Sequence, residues 1–138
     1  MLALLAGGAG EIIVPYDIAG DGIASPLDGR AGDPVRGHAI VLARQVSACL
    51  LCHGGPFPEE RFQGDIGPSL TGVGDRLTTA QIRLRLVNAA AVNPETVMPS
   101  FYAIAGLERV GRQWRGRPVL DAQQVEDVVA YLATLRAP

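Results

Sequence analysis

The feature that most constrains this chain is Cys49-Leu50-Leu51-Cys52-His53, which sets its only two cysteines three residues apart and follows them with a histidine. Thiols at i and i+3 fall on one side of a helical turn. C-x-x-C-H is the attachment pattern for c-type haem. The two sulfurs form thioethers to the vinyl groups of one porphyrin, and the next imidazole lies under the iron as its proximal ligand. Two other chemistries use such residues. A thioredoxin-like dithiol would follow a strand in a βαβ pattern, which the neighbouring sequence lacks. A zinc site wants four ligands, and only Cys49, Cys52, His53 and His38 are on offer. The motif occurs once, so the expectation is one haem c held through Cys49 and Cys52, with His53 on the metal.

The rest of the composition bounds what surrounds that motif. At 138 residues and 48% apolar content the chain suits one compact domain with a real core. Its 17 glycines and 10 prolines predict long loops between few regular elements. A net charge of −2 gives no electrostatic reason to expect nucleic acid or an anionic membrane surface. Aromatic residues are too few for a base-stacking platform. Residues 1–10 combine a short apolar piece with small residues suited to cleavage near Ala9 or Gly10, and read as the remnant of a secretory signal. No apolar run is long enough to span a membrane. Covalent haem attachment and an export signal together point to the periplasm.

Residues 11–32, rich in Gly, Pro, Asp and Ala, read as an extended arm that wraps the domain or a partner. The domain proper spans 33–138. A first helix starts behind Asp33 as N-cap and Pro34 at the first helical position and runs to about Arg44, with Val35, Ile40 and Val41 on its apolar side. A helical turn then carries the cysteines, and residues 54–75 read as loop. Thr78 and Gln81 form a capping box for a second helix through Ile82, Leu86, Val87 and Ala90. Pro94 and Pro99 force an irregular segment around Met98, and an arginine-rich loop covers 106–118. The last helix opens with Asp121 and Gln124 and repeats Val125, Val128, Val129, Leu132 and Leu135 on one face. Glu126 and Asp127 near its start and Arg136 near its end suit the helix dipole. The fold class is all-α, a small helical domain around one haem.

Low-spin haem iron needs a ligand opposite His53, and the candidates are Met98, His38 and Met1. Met1 belongs to the presumed signal, and His38 sits on the first helix, close in sequence to the proximal side. Met98 lies in a stiff, proline-flanked loop that can fold over the distal face, and is the expected ligand. A ligating histidine donates its other N–H to a carbonyl. Pro68, stiff and without a competing donor, is the candidate acceptor. Haem propionates need cations, for which Arg76 and the arginines of 109–117 are the pool; Trp114 and Tyr102 are assigned to the core.

With C-x-x-C-H, Gly67-Pro68-x-Leu70, Met98-Pro99 and an amphipathic last helix carrying Tyr131, the chain resembles class I cytochromes c from about Asp33 onward. In that family a glycine on the first helix lets the last helix cross closely. Gly37 and Val41 match that position, with Val128 and Tyr131 as partners. The carbonyl role of Pro68 also rests in part on this likeness. Three stretches, Gly32-Asp33-Pro34-x-x-Gly37, Thr96-Val97-Met98-Pro99-Ser100-Phe101-Tyr102 and the run 123–132, are similar to the SoxX family, as are Gly72-x-Gly74-Asp75-Arg76 and the arm. That resemblance implies a monohaem, non-catalytic electron-accepting subunit of an L-cysteine S-thiosulfotransferase. Its implied partners are a SoxA-type haem subunit, a SoxYZ-type carrier protein and a downstream electron-acceptor cytochrome. A free monohaem carrier of another respiratory pathway is the alternative.

Overall fold

Asp33 and Pro34 start the first helix as their chemistry dictates. In the computed structural model, which describes residues 13–138, α1 spans Pro34–Leu42, and the Asp33 carboxylate accepts from the N–H groups of Val35 and Arg36. The expected signal remnant at 1–10, with Met1, and the first two residues of the arm lie outside the described residues. The buried face of α1 is Gly37 and Val41, whereas Val35, expected on the apolar side, is exposed. A 3-10 turn, Cys49–Leu51, follows. A four-residue helix, α2 at Val73–Arg76, interrupts the segment expected to be loop throughout; it is too short to show a period in the sequence. Helix α3 spans Thr79–Asn88 and α4 spans Ala122–Ala133, both opened by reciprocal capping boxes, Thr78 with Gln81 and Asp121 with Gln124. No strand occurs among the described residues.

The principal packing is α1 against α4, with α3 and α2 also resting on α4. The sequence allows this crossing at one point. A Cβ at Gly37 would overlap the Asp127 carbonyl oxygen and sit 2.8 Å from Tyr131 Cβ, so only glycine lets the two backbones meet. Val41, Val125, Val128 and Val129 fill the seam, and Leu50, Phe57, Leu84, Leu120 and Leu132 extend the core.

Glu126 and Asp127 do not act on the helix dipole as expected. Both side chains are buried beyond the first turn of α4 and each holds an arginine. Arg83 on α3 meets Glu126 in a bidentate pair, with Nη2 2.7 Å from Oε1 and Nε 2.8 Å from Oε2, and its Nη1 donates to the Ile23 carbonyl at 2.7 Å. Glu126 also accepts from Leu27 N–H, so the pair ties residues 23–27 to two helices, and Ile23 and Leu27 are buried beside it. Removing one partner would leave a charge buried alone, at a cost of about 3–5 kcal/mol. Arg36 makes two contacts to Asp127, at 2.8 and 3.0 Å. Arg136 lies beyond the end of α4 and pairs with Asp75 at 2.9 Å instead of facing the helix terminus.

Candidate functional site

Between the Cys49–Leu51 turn, α3 and the 93–99 segment lies an apolar cavity of about 690 Å³. Its size falls within the range of ligand sites, roughly 300–1,000 Å³. Cys49, Cys52, His53, Pro68, Arg76 and Met98 all line it, brought together from four separate stretches of chain. Leu70, Ile82, Leu86, Phe101 and Leu132 supply apolar walls.

The turn that presents the thiols is set by backbone bonds. Ala48 takes a left-handed conformation, φ 55°, and His53 N–H donates to the Cys49 carbonyl at 3.0 Å, closing the turn so that the cysteines and the imidazole share one side. Neither cysteine is in a disulfide. Burial pushes the Cys49 thiol above its ordinary range. Among the described residues no group of three or more His, Cys, Asp or Glu side chains is placed to hold a metal ion.

His53 is held from two directions. Its Nδ1–H donates to the Pro68 carbonyl at 2.7 Å; since a carbonyl can only accept, the proton sits on Nδ1 and the lone pair on Nε2. Gly67 lies flat against the ring, where a Cβ would come within 2.7 Å of Nδ1. That segment is itself tied to the cysteine turn: Gly67 N–H donates to Cys52 O at 2.7 Å, Leu70 N–H to Gly54 O at 2.8 Å and Gly64 N–H to Leu50 O at 2.8 Å. The imidazole therefore offers one unprotonated nitrogen, with its orientation fixed, to a cavity bearing two thiols. Across the cavity Met98 is half-buried, its N–H donating to Thr96 Oγ1 at 3.1 Å. This donor set, two thiols, one oriented imidazole nitrogen and one thioether around an apolar slot, fits a covalently attached haem.

Arg76 lines the cavity, but its guanidinium donates to the carbonyls of Ser69 and Thr71, at 2.7 and 2.5 Å. It braces the segment that carries Pro68. The second lining arginine is Arg85, which the sequence reading passed over. The signal was present: Arg85 stands three residues after Ile82 and four before Ala89, on the face of α3 that meets the cavity. Arg109, Arg112, Arg115 and Arg117 do not line it. His38 is also elsewhere, its Nε2 3.4 Å from Glu59 and its ring tilted against that of Tyr131. Tyr102 is core, its hydroxyl accepting from Val14 N–H at 2.7 Å. Trp114 belongs neither to the cavity nor to the core, and lies half-buried under Arg117.

Neither a family model nor a curated protein matches the chain. A solved structure does. The crystal structure of SoxXA from P. pantotrophus matches with a TM-score of 0.81 and 36% sequence identity, over 88% of this chain and 94% of that one. With such identity across nearly the whole of both chains, and a cavity that gathers two thiols, an imidazole and a thioether, this chain belongs to the SoxX family of c-type cytochromes.

Proposed function

We propose that the chain is the electron-accepting, non-catalytic subunit of a periplasmic thiosulfate-oxidising cytochrome complex, an L-cysteine S-thiosulfotransferase. In this reading Cys49 and Cys52 would hold one haem c through thioethers, and His53 and Met98 would supply the nitrogen and sulfur ligands to its iron. The haem supplies storage for one electron at a time. The Pro68 carbonyl keeps the His53 imidazole turned and raises its basicity. A thioether and an imidazole together would raise the potential of a bound haem, which would suit an acceptor of electrons from sulfur oxidation. Arg76 and Arg85, the two arginines that line the cavity, would be the cations available to the propionates.

The reaction belongs to the assembly. An S–S bond forms between thiosulfate and a cysteine thiol of a SoxYZ-type carrier, releasing one proton and two electrons. With Cys49 and Cys52 committed to haem, no thiol of this chain remains to hold a sulfur intermediate. A SoxA-type haem subunit is the partner that does so, and a downstream cytochrome takes the electrons on. The single observation that carries the reading is the cavity that joins both cysteines, the Pro68-anchored His53 and Met98. Its test is co-expression with a SoxA-type subunit and carrier, followed by thiosulfate-dependent haem reduction. The expected result is a co-purifying heterodimer whose haem in this chain becomes reduced. A coloured chain that migrates alone and is never reduced by thiosulfate would make it a free carrier of another pathway.

A further inference from the structure

Of the chain's twelve arginines, five are held by carboxylates, and Arg76 and Arg85 donate to backbone carbonyls. Arg30, Arg36, Arg44, Arg83 and Arg136 each face a carboxylate at 2.7–3.1 Å. In the loop from 103 to 119 the pattern reverses. The side chains of Arg109, Arg112 and Arg115 make no hydrogen bond or ion pair with any described residue, and Arg117 reaches only the Gln113 carbonyl at 2.6 Å and the face of Trp114. Glu108 is the loop's one acid and pairs with none of them. A third of the chain's positive charge is thus concentrated, unneutralised, on one excursion of a protein that is acidic as a whole.

Backbone economy does not explain these side chains. Arg109 sits at φ 55°, a left-handed conformation in which glycine or asparagine costs less. The placement of the loop is equally specific. Its two ends are joined by Leu120 N–H donating to Phe101 O at 3.0 Å, and Phe101 N–H donates to Leu86 O at 3.0 Å. Met98, Pro99 and Phe101 line the cavity immediately before the loop departs. The loop therefore leaves the chain directly after the thioether wall of the site, and its base is fixed to that wall through Phe101. Exposed Ile104 and Leu107, with half-buried Trp114, add the apolar and aromatic contacts that protein interfaces favour beside arginine.

We propose that the loop 103–119 is an electrostatic docking element for the acidic face of a redox partner protein, delivering it to the Met98 side of the cavity. This deepens the haem reading and rests on it. Unpaired, mutually repelling guanidiniums supply a field at no cost in broken ion pairs, and such fields raise encounter rates more than final affinity. A lipid surface fits less well: the loop's one helical piece is the three-residue turn Arg112–Trp114, too short to lay an apolar face into a membrane. Single-stranded nucleic acid would want free aromatic faces, and Trp114 lies under Arg117.

The test uses the haem-loaded chain and the triple variant R109Q/R112Q/R115Q, with the visible spectrum and thermal midpoint as controls for folding. Oxidation of the reduced protein by ferricyanide, a trianion, should slow about tenfold at low ionic strength, and oxidation by a tris-phenanthroline cobalt cation should accelerate. Both effects should vanish at high salt. Binding of poly-L-glutamate should be lost in the variant. Unchanged rates with both oxidants and unchanged poly-L-glutamate binding would overturn the proposal. So would a variant that loses binding only to phosphatidylglycerol vesicles or to a single-stranded oligonucleotide. If the purified chain proves colourless, the haem reading fails, while the poly-L-glutamate arm still decides the role of the loop.

Discussion

The imidazole wall and the thioether wall of the cavity are built differently. On the imidazole side, Gly64, Gly67, Leu70 and His53 are each bonded to a residue far along the chain, at Leu50, Cys52, Gly54 and Pro68. On the thioether side the bonds around Met98 are short-range: Thr96 N–H to Asn93 O, Glu95 N–H to Asn93 Oδ1 and Met98 N–H to Thr96 Oγ1. Its longer-range ties come after Met98, where Ser100 meets Asn88 and Phe101 meets Leu86 and Leu120. Long-range ties must break together for the first wall to open, whereas the second can rearrange locally. His53, the proposed proximal ligand, sits on the braced wall, and Met98, the proposed distal one, sits on the loose wall.

The largest effect should come from the braced wall. Replacing Cys49 and Cys52 together by alanine should abolish covalent attachment, read as a colourless product with the mass of the bare peptide. Gly67→Ala comes next. Its Cβ would press on His53 Nδ1 and rotate the imidazole off the Pro68 carbonyl, costing about 1–3 kcal/mol. The expected result is a lower thermal midpoint together with a loss of low-spin character. A normal spectrum would show that this wall is no stiffer than the other. Met98→Ala should keep covalent haem, open the sixth position and turn the iron high-spin, with a smaller loss of stability because the side chain is only half-buried. A denaturation loss larger than that of Gly67→Ala would reverse the comparison. The smallest effect is the acid sensitivity of the scaffold behind both walls. Burial alone would push the Asp127 carboxyl up, but the bonds from Arg36, the Asp33 N–H and Gln123 hold it below the usual carboxylate range. A carboxyl lowered on folding stabilises above its unfolded pKa, so that contribution should fade as the pH drops below about 4. Acid titration of Asp127→Asn against the parent chain measures it; identical acid midpoints would remove Asp127 from the account.

What could be read from the sequence was local. C-x-x-C-H, the Asp33-Pro34 start and the two capping boxes each involve residues within four positions, where spacing alone dictates geometry. The ends were less legible: α4 stops at Ala133, so Leu135 and Arg136 fall outside it, because contacts with α2 compete with the helix pattern there. Glu126 and Asp127 looked like dipole partners because their arginines, Arg83 and Arg36, are far away in sequence. The same blindness put Arg109, Arg112, Arg115 and Arg117 among the candidates for the cavity and left out Arg85. Charge in a loop is visible in a sequence, but the direction the loop takes is not.

The close approach of α1 and α4 at Gly37 joins the two ends of the domain and leaves everything from the cysteine turn to the methionine segment as one tethered loop. Once those terminal helices have docked, the middle of the chain is already confined and its closure entropy spent. A side chain that forced those helices apart at Gly37 would therefore loosen both walls of the cavity at once, although it touches neither.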